Sequence, residues 1–200
     1  MVSSVFTQFL LFVELVRLKM SSEFLRAPLS FGAKTALIGA LFLMPLQAHA
    51  DGSREVQVAG RTLTFLDNGP TGKVVFGVVF DPSKPASVAE KDEVMAALGA
   101  GMTVGAVTIV GKPVDASTVA GVSGVGALYL THGVNYAAAG AAAKAKKILS
   151  ISSDMACVQS GACVMGVAAS PKVEIVVNSA TASAVGASFK AAFKMMIKEI

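Results

Sequence analysis

The sequence predicts an α/β fold: a mostly parallel sheet flanked by helices on both faces, with a C-terminal antiparallel hairpin and a terminal amphipathic helix. Three observations carry this expectation. Residues 74–80 form a nearly unbroken apolar run, as in a strand covered on both faces. Strand-like and helix-like segments alternate from there to residue 151. After Asn178 the apolar period changes from two to about 3.6.

The first fifty residues differ in composition from the rest. Arg26 and Lys34 supply a basic flank to the apolar run 35–46, and Ala48-His49-Ala50 has the small-residue pattern that precedes a cleavage point. About twelve apolar residues are too few to span a bilayer as a helix. Residues 1–50 therefore read as a signal peptide, with an uncleaved membrane anchor as the competing reading. Met20 is an alternative start that gives a leader of ordinary length. Cleavage after Ala50 would deliver the remainder to the periplasm. The formal charge then falls from +4 to +2, because 13 Lys and Arg face 11 Asp and Glu. Nucleic acid is a poor partner for such a chain, since no basic stripe is interleaved with aromatics. The trio Lys144, Lys146 and Lys147 reads as the solvated end of a helix.

Alternation around Gly60-Arg61 within residues 56–66 suggests that residues 51–72 form an N-terminal arm or edge hairpin. Residues 73–200 have the length of a single α/β domain. Within it, residues 73–81 are expected to form a central parallel strand that stops at Asp81-Pro82-Ser83-Lys84-Pro85. Ser87 then caps a helix to Leu98, with Val88, Val94, Met95 and Leu98 facing inward. Strands over 104–110 and 127–130 end at Gly111-Lys112-Pro113 and Thr131-His132-Gly133. From Asn135 to Lys147 runs an alanine helix whose small side chains suit close packing on the sheet or on a second subunit. Tyr136, Ala138 and Ala142 are the candidate dimer surface.

Residues 148–151 form a short strand that opens into Ser152-Ser153-Asp154 and a loop with Cys157 and Cys163. Strand 164–168, the Ser170-Pro171 turn and strand 173–177, with Val173, Ile175 and Val177 on one face, make a hairpin. In the terminal helix Val185, Phe189, Phe193, Met196 and Ile197 share one stripe, and Lys190, Lys194 and Lys198 another. Asn178 or Ser179 caps its start.

Most chemical motifs fail. Gly121, Gly124 and Gly126 precede a strand instead of linking strand to helix, so no dinucleotide cofactor is expected. Ser123 is not in a nucleophile elbow, and cleavage would leave His132 as the only histidine for a triad. Asp92 and Glu93 read as helix-surface solvation. No catalytic residue, and so no enzyme, is expected. Two cysteines in an exported chain point to a Cys157–Cys163 disulfide. The alternative is a metal site that would have to recruit His132 and a carboxylate.

Position supplies what motifs do not. Ligands of open α/β sheets collect beyond the carboxyl ends of the strands, where this chain offers Asp81, Ser83, Thr131, His132, Ser152, Ser153 and Asp154. These are either a polar cleft for a ligand or partner, or ordinary turn and cap residues.

The leader, strand 73–81 with its helix, the strand end at 148–154, the cysteine pair, Val164-Met165-Gly166-Val167, and Val173-Glu174-Ile175-Val176-Val177-Asn178 before Ala180, Gly186 and Phe189 together resemble the YfiR-like periplasmic family. The resemblance spans most of residues 73–200. It implies a small exported, disulfide-bearing homodimer that binds the periplasmic domain of a membrane diguanylate cyclase and holds it inactive, a regulator of cyclic di-GMP signalling. The alternative is a small-ligand receptor resembling half of a periplasmic solute-binding protein.

Overall fold

The computed structural model describes residues 50–200. The expected leader, through His49 and including the alternative start at Met20, lies outside them. The described chain is an α/β fold built on one eight-stranded sheet in the order β2-β3-β1-β4-β5-β6-β7-β8. Its strands are β1 (Gly72–Phe80), β2 (Met102–Val104), β3 (Val107–Asp115), β4 (Ala127–Leu130), β5 (Leu149–Ser152), β6 (Met165–Ala168), β7 (Glu174–Val177) and β8 (Lys198–Glu199). The core pairings β3-β1, β1-β4, β4-β5 and β5-β6 are parallel, while β2-β3 and β6-β7 are antiparallel. β8 adds a short parallel edge to β7.

The helices are α1 (Ala50–Thr62), α2 (Pro85–Leu98), α3 (Tyr136–Lys146), α4 (Met155–Gln159), α5 (Ser179–Val185) and α6 (Ala191–Lys194). They divide between two apolar layers, and strand alternation feeds both. On β4, Ala127 and Tyr129 join Val56 of α1, Leu63 just after it, Val94 and Leu98 of α2, and Phe189 and Phe193. Leu128 and Leu130 instead join Val119 and Val122, Ala139 and Ala143 of α3, and Cys157 and Val158 of α4. All four β4 side chains are buried, as a central parallel strand requires.

Several expectations need correction. Residues 51–72 are neither an arm nor an edge hairpin: α1 and a short 3₁₀ turn (Leu63–Phe65) occupy most of them. Val56, Ala59 and Leu63 fall at helical spacing and are buried, so tertiary burial overrides the local alternation. Gly60 lets α1 lie close to the sheet, since a Cβ there would meet Ile109 Cδ1 at 2.7 Å and Met102 Cε at 2.8 Å.

The strand expected over 104–110 is two strands joined at Gly105, whose φ of +59° favours glycine. β3 continues through Pro113, because β2 covers it only as far as Ile109. Beyond that point one side of β3 is a free edge, where a missing N–H costs no ladder bond. Ser87 is not the cap of α2: Pro85 opens the helix and Ser87 sits buried inside its first turn.

Val173, expected on the buried face of the hairpin strand, lies before β7 and is 52% exposed, while Val176 and Val177 are buried on opposite layers. The terminal helix is also interrupted. α5 ends at Gly186, whose φ of +75° lets its N–H close onto Ala182 and Ser183 carbonyls. Phe189 then forms an isolated bridge with Leu66, and Met196, expected inside, is 61% exposed. The apolar spacing recorded burial of Phe189 and Phe193 without a continuous helix between them.

The alanine helix α3 shows how close packing decides a residue. A Cβ on Gly140 would lie 2.9 Å from both the Cα and carbonyl carbon of Ala162. That backbone cannot easily give, because Ala162 adjoins Cys163, which is disulfide-bonded to Cys157. Intrinsic propensity favours Gly140→Ala by about 1 kcal/mol, whereas overpacking costs roughly 1–3 kcal/mol. Packing should win, so Gly140→Ala is expected to lower unfolding stability by about 1 kcal/mol in urea denaturation; a stabilised variant would contradict this packing.

Candidate functional site

The switch in strand order lies at β1, which pairs with β3 on one side and β4 on the other. The chain leads from β1 to β2 and β3 on one side, and from β4 to β5 on the other, so the carboxyl ends of β1 and β4 are the usual ligand position of such sheets. α2 crosses this end and places Ser87, Glu90 and Val94 on its inner face, at helical spacing. Glu90 is the carboxylate of that stripe, and its side chain is only 12% exposed.

Four bonds meet it. The His132 backbone N–H donates to Glu90 Oε2 at 2.6 Å and the His132 ring Nδ1 lies 2.7 Å from the same oxygen. The Ser153 hydroxyl donates to Oε1 at 2.5 Å, and the Tyr129 hydroxyl at 3.2 Å. α2 is thereby joined to the ends of both β4 and β5. Ser153 Oγ also lies 3.2 Å from His132 Nδ1. A nucleophilic triad needs hydroxyl and carboxylate on opposite ring nitrogens. Here both converge on Nδ1, so the arrangement holds the ring and does not activate the serine.

The strand-end residues expected from sequence all lie at the carboxyl ends of β1, β4 and β5, but they divide by role. His132 and Ser153 meet at Glu90. Asp81 Oδ1 accepts from the Ser83 N–H at 3.0 Å and hydroxyl at 2.6 Å, and Asp81 Oδ2 lies 3.5 Å from Lys84 Nζ. Lys84 also donates to the Gly133 carbonyl, bridging the ends of β1 and β4. Asp154 caps α4 through the Ala156 N–H and accepts from the Tyr136 hydroxyl at 2.7 Å. Thr131 and Ser152 are fully buried: Thr131 bonds to Ser87 and the Val79 carbonyl, Ser152 to the Leu130 carbonyl. They fasten strand ends and present nothing to a ligand.

Sequence reasoning missed Glu90, Tyr129 and Lys84. The signal for Glu90 was its place on the apolar stripe of α2, where a carboxylate must find donors. Ala142, expected on a dimer surface, is buried in the second apolar layer, and Tyr136 is engaged by Asp154; Ala138 is exposed. Cys157 and Cys163 form a disulfide, which removes the thiolates that a metal site with His132 would need. Among the described residues no group of three or more His, Cys, Asp or Glu could hold a metal ion. No helix among them is long and apolar enough to cross a membrane.

Charge is strongly organised. Burial pushes the Glu90 carboxyl up, but hydrogen bonds from the His132 ring and backbone and from Ser153 outweigh it and hold it below the ordinary value. The bond to Glu90 raises His132 above its ordinary value against the opposing effect of burial. Burial, then the Glu90 charge, pushes the Tyr129 phenol well up, so it stays a donor. Tyr136 is raised by burial and by its bond to Asp154. Asp81 is lowered by the Ser83 hydroxyl and N–H.

No protein-family model matches the chain, and no curated protein matches it. Among solved structures it is similar to the ligand-free, open structure of CD0873, a substrate binding protein with adhesive properties from Clostridium difficile, with TM-score 0.50 and 14% identity over 64% of this chain and 54% of that one. It is similar to a conserved domain protein from Vibrio cholerae O1 biovar El Tor, with TM-score 0.55 and 11% identity over 74% and 59%. A third likeness is to the ABC domain in complex with L-Trp from Streptococcus pneumonia, with TM-score 0.54 and 14% identity over 74% and 59%. At these identities the likeness is one of fold. This chain spans 54% to 59% of the length of those solved chains.

The Glu90–His132 pair has a pH signature. Glu90 is lowered from 4.5, so its contribution to stability is present above that pH and is lost as the pH falls through its folded value. His132 is raised from 6.5, so its contribution is present below that pH and is lost as the pH rises through its folded value. Both act together between pH 4.5 and 6.5. The urea midpoint should peak in that window, and Glu90→Gln should flatten the profile while lowering stability by about 2 kcal/mol. A profile unchanged by Glu90→Gln would contradict the assignment.

Proposed function

We propose that the chain is a non-catalytic, periplasmic small-ligand binding module, comparable to part of a substrate-binding protein. The observation that carries this reading is the convergence of Glu90, His132, Ser153 and Tyr129 at the carboxyl ends of the strands, where the strand order reverses. Fold likeness to a substrate binding protein and to a domain bound to L-Trp supports it. Glu90 is saturated by its four donors and acts as scaffold. The half-exposed His132 ring, with Lys84, Asp81 and Asp154 nearby on the same strand ends, supplies groups of both signs, as a zwitterion such as an amino acid would use.

A second reading follows the YfiR resemblance: a homodimer that docks on the periplasmic domain of a membrane diguanylate cyclase and regulates cyclic di-GMP output. It is favoured by the C-terminal segment, where Met195 is 89%, Met196 61% and Ile200 44% exposed. Exposed apolar side chains grouped in this way suit a protein partner.

The test is a thermal-shift screen of the full chain against the twenty L-amino acids. A ligand at about 100 times its Kd adds about 2.7 kcal/mol, which for a chain of this size raises Tm by roughly 5–10 °C. The small-ligand reading expects such a shift with at least one of them, and its loss in His132→Ala. No shift with any amino acid, together with recovery of a membrane cyclase in pull-downs, would favour the second reading.

A further inference from the structure

A cavity of about 810 Å³ lies at the opposite end of the sheet from Glu90, between the 3₁₀ turn after α1 and the start of β1, the β2-β3 hairpin and Lys190. Its volume falls in the range of small-molecule sites, about 300–1,000 Å³. Leu63 and Val107, both buried, and the half-buried Phe65 give it an apolar lining. Its charged groups are Arg61, Lys190 and Asp67, all exposed.

Two cations therefore face one carboxylate. The Lys190 position is fixed at both ends: its backbone N–H donates to the Phe65 carbonyl and its Nζ to the Thr64 carbonyl, each at 2.9 Å. One bond leaves an ammonium two further donors. The Arg61 guanidinium has no hydrogen-bond or ion-pair partner among the described residues; only its backbone carbonyl is engaged, by the Thr64 hydroxyl. A planar fork of five donors left unpaired beside an apolar wall is suited to a carboxylate.

We propose that this cavity is a second binding site, separate from the strand-end site, for a small organic monoanion with an apolar body, of the class of medium-chain or aromatic carboxylates. The carboxylate meets Arg61 and Lys190, and the apolar part covers Leu63, Phe65 and Val107. Asp67 limits the site to a single negative charge, because a second anionic group would meet it. A cation is repelled by Arg61 and Lys190, and a neutral molecule gains only the weaker hydrogen bonds that lack charge assistance.

Titration calorimetry on the full chain with octanoate, octylamine and octanol tests this. Octanoate should bind at least about tenfold more tightly than either comparison compound, and Arg61→Gln with Lys190→Gln should weaken it by about tenfold or more. Lys112→Gln, which removes a surface charge elsewhere, should leave octanoate binding unchanged. Because Lys190 also fastens Thr64, Arg61→Gln alone is the second variant: its side chain holds nothing in place, so folding is retained and octanoate binding should still weaken severalfold. Absence of octanoate binding, equal binding of octylamine, or native affinity in Arg61→Gln would overturn the proposal.

Discussion

A carboxylate held mostly out of water must be met by donors or its desolvation is uncompensated, and Glu90 imposes that requirement on the end of the sheet. Its donors come from three places: the β4 side chain Tyr129, the turn residue His132 and Ser153 beyond β5. Each fixes a distance between α2 and a strand end. The consequence is a preorganised surface in which the His132 ring is held by Nδ1, while its outer edge is left to solvent. Removing Glu90 would not merely delete a charge, because the imidazole, the hydroxyl and the phenol would each lose the acceptor that orients them.

The two layers explain why this arrangement can persist on short strands. β4 and β5 contribute only four residues each, yet all eight side chains are buried. Their polar members are spent on fastening: Ser150 Oγ accepts from the Val164 N–H and Ser152 donates to the Leu130 carbonyl. On the second layer, the Cys157–Cys163 disulfide closes the segment that follows β5, so the loop beside Asp154 is fixed as well. Rigid strand ends and a covalently closed loop position the turns, which remain accessible for binding.

Sequence reading recovered what depends on local periodicity. The apolar run of β1, the four residues of β4, the helix that follows Asn135, the cap at Asn178 rather than its alternative Ser179, and the residues at the strand ends are where spacing placed them. It failed where long-range contacts overrule local pattern. α1 reads as alternating because Gly60 and Arg61 interrupt it, yet Val56, Ala59 and Leu63 are held helical by the core. The break at Gly186 is hidden because Phe189 and Phe193 stay buried on either side of a non-helical link. Glu90 escaped notice because a single acid in a helix reads as solvated unless its neighbours on the inner stripe are counted. Thr131 and Ser152 look like site residues in sequence, but only three-dimensional burial shows that their hydroxyls are already used.

The central claim is that binding occurs at the carboxyl ends of the strands, on the surface that Glu90 organises. The most direct measurement is the amide ¹H–¹⁵N spectrum of the full chain with and without the amino acid that raises its Tm. The account predicts that the largest shifts fall on His132, Gly133, Ser153 and Asp154. Largest shifts along Met195 to Ile200, or around Arg61 and Lys190, would contradict it.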